Sequence, residues 1–360
     1  MKWVHQLLKN GASNICGNVK KNIGSLAQRL VRQTHNLKDL GSNPRGPTNF
    51  KKGNMKILIT GSSGFIGSHI SPILSTSHEV YHLKSDLLDF INVEQEVVSF
   101  SPDIIVHLAA RTEVEKSFYE QTEFSQVNYV GSVNLIEAAA KVTNLQSFVF
   151  ASTMEVYGWQ PISDEVKSSI IPNTVIAFDE QTTPHPNAPY AVAKYAVEKY
   201  LEYMHRTCAF PYCIIRQTNC YGRKDNEFFV TEQIIWQMLQ NPNTIELGYA
   251  EPYRNFIYID DLLDAWTTVI NNPSKVAGKL FTLGPDNPIK IKDYATLIAK
   301  KLNWNGLIIW DTKPKRQGEI YWLNSSNKLI TDTLGWQPKV DLSTGLDLTI
   351  NFWKDKLNKV

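Results

Sequence analysis

The chain has 360 residues, 42% hydrophobic and 20% charged, the balance of a folded protein with room for a substantial core. No apolar run reaches the roughly 20 residues that a membrane span needs, so no membrane partner is expected. The net charge of +2 conceals an asymmetry: 27 of the 37 basic and 34 of the 35 acidic residues lie beyond residue 54, a net of −7 that argues against nucleic acid as the natural partner.

Residues 1–54 hold the other ten Lys and Arg, with Asp39 as the one acid, and end in a Gly-Ser-Asn-Pro-Arg-Gly-Pro linker. Three readings stand: an organelle transit peptide, a poorly ordered tail, or sequence upstream of a true start at Met55. The chemistry is expected to begin after it. Cys16, Cys208, Cys213 and Cys220 form neither a CxxC pair nor a metal spacing with histidine, so a cytoplasmic protein without a metal site is expected.

Residues 56–60 read as a buried strand, followed by Gly61, Gly64 and Gly67 and a helical pattern from Phe65. Strand, glycine-rich turn and helix in that order predict a dinucleotide site: Gly61 for the tight turn, Gly64 for close approach of a pyrophosphate, Gly67 for helix-on-strand packing. Ser63, Phe65 and Ile66 lie where the turn and the helix N-terminus would offer N–H groups to phosphate. Further strands at 79–84, 103–108, 147–151 and 211–216 alternate with helical patterns near 65–76, 92–100, 125–142 and 190–207. The alternation predicts a doubly wound parallel sheet, the Rossmann type of α/β fold, over residues 55–217. The third strand runs through Leu108 into Ala109 and Ala110, small enough to pass close to a cofactor. From 218 to 360 the texture changes to a smaller α/β lobe for substrate, with helices at 228–240, 260–272, 290–301 and 343–357 and strands at 255–259, 279–283 and 306–310.

Tyr190 and Lys194 stand four apart on one helix face. An ammonium stabilises a phenolate, and a tyrosine working as a base near neutrality needs its pKa lowered by roughly three units from about 10. Lys194 together with a nicotinamide cation is expected to supply that. The loop Ser152-Thr-Met-Glu-Val-Tyr-Gly158 precedes this helix and offers a hydroxyl to share the substrate's proton.

These motifs, with His107-Leu-Ala-Ala110, Arg216, Asn219-Cys-Tyr-Gly222, Arg254 to Asp261 and Arg316-Gln-Gly-Glu319, occur in an order that resembles the extended short-chain dehydrogenase/reductases, specifically the nucleotide-sugar epimerase/dehydratase branch. The resemblance covers residues 55 to about 357. It implies that Tyr190 takes the C4 hydroxyl proton of a nucleotide-diphosphate sugar while a tightly held nicotinamide oxidises C4. Lys194 would hold the ribose and Thr153 the reacting oxygen. The 4-keto sugar then has three fates: epimerisation, loss of water across C5–C6, or decarboxylation of a uronate. Glu155 stands where the resembling 4,6-dehydratases carry the base for the C5 proton, and decarboxylases also have a Glu there. Met154 replaces the acid of the thymidine-sugar dehydratases. Ser117, Asn219, Arg254 and Arg316 are the implied substrate contacts, the arginines for phosphate. Lys84 stands at the end of the second strand where NAD enzymes usually place an acid, which tips the choice from NAD to NADP. Asp86 and Leu87 follow it, beside the adenine. A homodimer through helices 125–142 and 190–207 is expected. A 4-epimerase, a decarboxylase and a non-catalytic dinucleotide-binding scaffold are the rival readings.

Overall fold

A computed structural model describes residues 53–158, 177–285, 287–313 and 318–358. Arg316 and nearly all of the basic leader lie outside them. The five expected strands form as β1 (Lys56–Thr60), β2 (Glu79–His82), β3 (Ile104–His107), β4 (Ser147–Thr153) and β5 (Tyr212–Gln217). Every pairing among them is parallel.

Alternation within the strands explains why the sheet is covered on both faces. Ile57, Ile59, Ile104 and Val106 enter one apolar cluster, while Leu58 and Ile105 between them enter another. The first cluster includes Leu262, Trp266 and Val269 of helix Ile259–Ile270; the second includes Leu135 and Ala139 of helix Gly131–Ala140 and Val197 and Leu201 of helix Pro189–Cys208.

Beyond β5 come the short strands β6 (Asn219–Tyr221), β7 (Thr244–Glu246), β8 (Tyr253–Arg254) and β9 (Phe256–Tyr258). Then follow β10 (Lys279–Leu283), β11 (Ile289–Lys290) and β12 (Leu307–Ile309). Three two-stranded pairs, β6 with β9, β8 with β11 and β7 with β12, build the second lobe. β10 instead returns to the main sheet beside β5, completing the order β10-β5-β4-β3-β1-β2. The chain after residue 217 therefore serves both the sheet and the substrate side.

The expected helix over 125–142 is interrupted. Gln121–Ser125 runs into a π-helical turn, Gln126–Val130, before Gly131–Ala140 resumes α geometry. The turn carries buried Asn128, whose amide bonds the Arg111 backbone in both directions at 2.8 and 2.9 Å. A π-turn re-aims a side chain without ending a helix, and here it ties the helix to the segment leaving β3. No helix of the described residues is long and apolar enough to cross a membrane, and no group of metal-ligating side chains occurs among them.

Candidate active site

The turn after β1 admits no side chain at two positions. Gly61 has a φ of +68°, and a Cβ there would lie 2.6 Å from the Ala109 nitrogen; a Cβ on Gly67 would lie 2.1 Å from the Gly61 carbonyl oxygen. The turn closes through Gly64 N–H donating to Gly61 O at 3.0 Å. No side chain caps helix Phe65–Ser75, which leaves its first N–H groups to an anion. Ser63 and Gly64 are exposed at the turn, and Phe65 and Ile66 are half-buried. These residues fit a dinucleotide pyrophosphate.

Leu108, Ala109 and Ala110 leave β3 half-buried beside this turn. Thr60 Oγ1 accepts from the Ala109 N–H at 3.1 Å and bonds His107 Nδ1 at 2.7 Å. His107 Nε2 meets Ser132 Oγ at 2.8 Å. Burial, and then the Lys194 charge, pushes His107 down to about 3, so it is a neutral strut. At the end of β2, Lys84 and Asp86 are exposed and Leu87 is buried. Sequence reasoning missed Glu96 of helix Phe90–Phe100, whose carboxylate accepts from the Lys84 and Ser85 N–H groups at 2.7 and 3.0 Å and from Tyr81 Oη at 2.8 Å. Burial raises its pKa, but these bonds and one from the Ser85 hydroxyl outweigh that and hold it below the usual range. An acid therefore does stand at this strand end, reaching in from α-helix rather than from the strand itself.

Thr153 ends β4, and its hydroxyl accepts from the Glu155 N–H at 3.1 Å. The Tyr190 phenol, on helix Pro189–Cys208, is pushed above the ordinary tyrosine range by burial and then by the Glu155 carboxylate, while a hydrogen bond with Thr153 works the other way. Thr153, Glu155 and Tyr190 thus act on one another directly. Lys194 does not join them. It is 2% exposed, donates to the Ala151 carbonyl at 2.9 Å and lies over the Phe150 ring at 4.7 Å. Burial drags it down to about 7, against the opposing charge of Glu198. The Lys194 ammonium is thus held at the strand carbonyl, and the expected joint action of Lys194 and a nicotinamide cation on Tyr190 concerns the cofactor-bound protein.

Behind them lies a second constellation. Arg216 of β5 donates to both Glu198 oxygens at 3.0 and 2.6 Å and to Tyr157 Oη at 2.9 Å, and Ser152 Oγ also donates to Glu198. Tyr190, Lys194 and Glu198 recur every fourth residue along one helix face, the signal that could have identified Glu198.

A small, partly open cleft lies at Glu155, lined also by Phe118, Asn187, Arg254, Glu319 and Ile320. Arg254 is largely buried and donates to Glu319 Oε1 at 3.0 Å. Asn219 is exposed on β6. Ser117 is fully buried and its hydroxyl donates to the Val114 carbonyl at 2.6 Å, while Val114 itself lines the cleft. Met154 packs with Ile320, Trp322 and Leu323 in a small apolar cluster away from solvent.

Residues 57–284 match the NAD dependent epimerase/dehydratase family. The chain belongs to that family. It is 27% identical over 321 residues to a putative UDP-glucose 4-epimerase of Methanocaldococcus jannaschii, covering 83% of this chain and 98% of that one. It is 28% identical over 349 residues to dTDP-glucose 4,6-dehydratase of Escherichia coli, covering 83% and 93%. The crystal structure of UDP-glucose 4-epimerase from Thermotoga maritima, solved with UDP-glucose, superposes with a TM-score of 0.74 at 26% identity over 84% of this chain and all of that one. The epimerase/dehydratase fold here is thus the Rossmann-type sheet described above, and the family to which the chain belongs is the NAD-dependent one.

Proposed function

We propose that this epimerase/dehydratase acts on a nucleotide-diphosphate hexose as a 4,6-dehydratase, passing through a 4-keto sugar. The observation that carries the reading is Glu155, which borders the cleft while its charge acts on Tyr190. A bound nicotinamide supplies the two-electron acceptor at C4. Tyr190 takes the proton of the 4-hydroxyl, and Thr153 holds that oxygen. Glu155 removes the C5 proton and passes it to the departing 6-hydroxyl; the hydride taken from C4 would then return to C6 while Glu155 delivers a solvent-derived proton to C5, so that the cofactor ends as it began. One carboxylate serves both steps because Met154, where thymidine-sugar dehydratases have an acid, is packed into an apolar cluster. Arg254 and Arg316 take the diphosphate, with Asn219 beside it; Arg254 leaves Glu319 to do so.

The second reading is a 4-epimerase, favoured by the names of two of the relatives above. A uronate decarboxylase fits less well, since Glu155 and Glu319 would face a further carboxylate in one cleft. Lys84 favours NADP, and Glu96 at the same strand end opposes a 2′-phosphate, so the preference is expected to be small. We place the protein in the cytoplasm as a homodimer.

Turnover of a panel of nucleotide sugars in deuterated water, read by product mass, tests this. Loss of water with one deuterium fixed at C5 supports the dehydratase. Unchanged mass with altered stereochemistry makes it an epimerase, and loss of carbon dioxide makes it a decarboxylase.

A further inference from the structure

Lys224 follows β6 on the loop into helix Val230–Gln240, outside every motif considered above. It is 8% exposed, and its Nζ makes no hydrogen bond or ion pair among the described residues. The nitrogen lies between two aromatic rings, 2.9 Å from the Phe229 centroid and 5.0 Å from that of Phe65. In the first turn of the following helix, Glu232 is 1% exposed, and its carboxylate has no side-chain hydrogen-bond partner among the described residues and faces only the backbone N–H groups of Gly222 and of Glu232 itself. The two charges sense each other without forming an ion pair: burial pulls the lysine down and the glutamate up, and each opposes the other's shift. Burying two charges this way is costly unless something else satisfies them.

The position supplies the something else. Phe65 is the first residue of the uncapped helix after the glycine turn, one residue from where a pyrophosphate meets the helix N-terminus. The Lys224 ammonium stands 5.0 Å from the centroid of its ring. We propose that Lys224 reaches from the second lobe to contact the pyrophosphate of the bound dinucleotide, and that Glu232 is the positioning residue whose buried charge keeps the ammonium in place. This rests on the glycine turn being the cofactor site. The lysine would then close the dinucleotide between the two lobes, a contact that neither the glycine motif nor the Tyr190 helix provides.

The test uses the full-length protein, with NAD and ADP-ribose titrated by calorimetry at several salt concentrations. Lys224→Met is expected to weaken both ligands about tenfold or more, the worth of a charge-assisted hydrogen bond. It should also flatten the salt dependence. Lys224→Arg should bind within about threefold of wild type. Glu232→Gln should weaken binding in the wild-type background and have no effect in the Lys224→Met background. Wild-type affinity in Lys224→Met overturns the contact. So does a loss of affinity accompanied by a lower melting temperature that arginine does not rescue, since that marks a packing role. Additive effects of the two substitutions overturn the role of Glu232. A wild-type protein that binds neither ligand overturns the cofactor site itself, and this proposal with it.

Discussion

Tyr190 and Lys194 share a helix face, yet burial moves their proton affinities in opposite directions. The phenol is held protonated, while the amine, down to about 7, is close to losing its charge at neutral pH. An amine whose folded pKa lies below its unfolded value destabilises the fold wherever the unfolded chain binds the extra proton. The penalty is therefore full below pH 7 and fades as pH rises towards 10.5. Lys194→Met is expected to be more stable to urea than wild type at pH 6.5, by a few kcal/mol, with the gap closing by pH 10; a constant gap would mean that the substitution acts through packing alone. Activity should move the other way. Lys194→Met and Tyr190→Phe should each lower turnover by about 10²–10⁴-fold, with Tyr190→Phe still binding dinucleotide. Glu155→Gln separates the two halves of the proposed chemistry: C4 oxidation, read as reduced cofactor absorbance in a single turnover, should survive, while exchange of the C5 proton with deuterated water should vanish. Exchange at the wild-type rate would reduce Glu155 to a cleft-wall carboxylate.

Helix Pro189–Cys208 carries Tyr190 in its first turn and is anchored through Glu198, which is fully buried against Arg216 of β5. Removing one partner of such a pair strands the other's charge. Glu198→Gln is expected to cost about 3–5 kcal/mol in urea unfolding, and to raise KM and lower kcat together because the helix carrying Tyr190 loosens. The five strands of the first half were legible in the sequence, since each is a short apolar run bounded by turn residues and each alternates between the two cores. The glycine turn was legible for a related reason: only glycine satisfies both Gly61 and Gly67, so sterics write that site into the sequence. Glu96 and Glu198 were not. Both act on a strand end from a neighbouring helix, and a contact across 12 or 18 residues is not written in the local pattern; the four-residue spacing from Tyr190 and Lys194 marks the helix face of Glu198 but not its partner. The short strands β6, β7, β8 and β11 were hidden too, because two or three residues are too few to show a period, whereas β9 falls within the strand expected at 255–259. The orientation of Lys194 was beyond reach, as helical spacing places a side chain on a face without saying which carbonyl it meets.

The strand order explains how one chain builds a closed site. β10 leaves the second lobe to pair with β5, and helix Ile259–Ile270 packs against helix Phe65–Ser75, so the chain after residue 217 is tied to the sheet at two places. Opposite lies a face with different character. Helix Pro189–Cys208 packs against helix Gln121–Ser125 and the π-helical turn Gln126–Val130, and Val192 and Tyr203 of the first and Val130 of the turn remain exposed. Apolar groups left on adjacent helices suit a second copy, whose matching face would bury them by two-fold symmetry. Light scattering at micromolar concentration is expected to give a mass of twice 40.9 kDa. Val192→Glu, which places a charge in the middle of that face without touching the cleft, should shift the protein to monomer. A wild-type mass of one chain would leave these side chains as ordinary surface. A dimer indifferent to Val192→Glu would move the interface elsewhere. Should the monomeric variant also lose turnover while still binding dinucleotide, the dimer would be bracing helix Pro189–Cys208, which carries Tyr190 near its start and Tyr203 near its end.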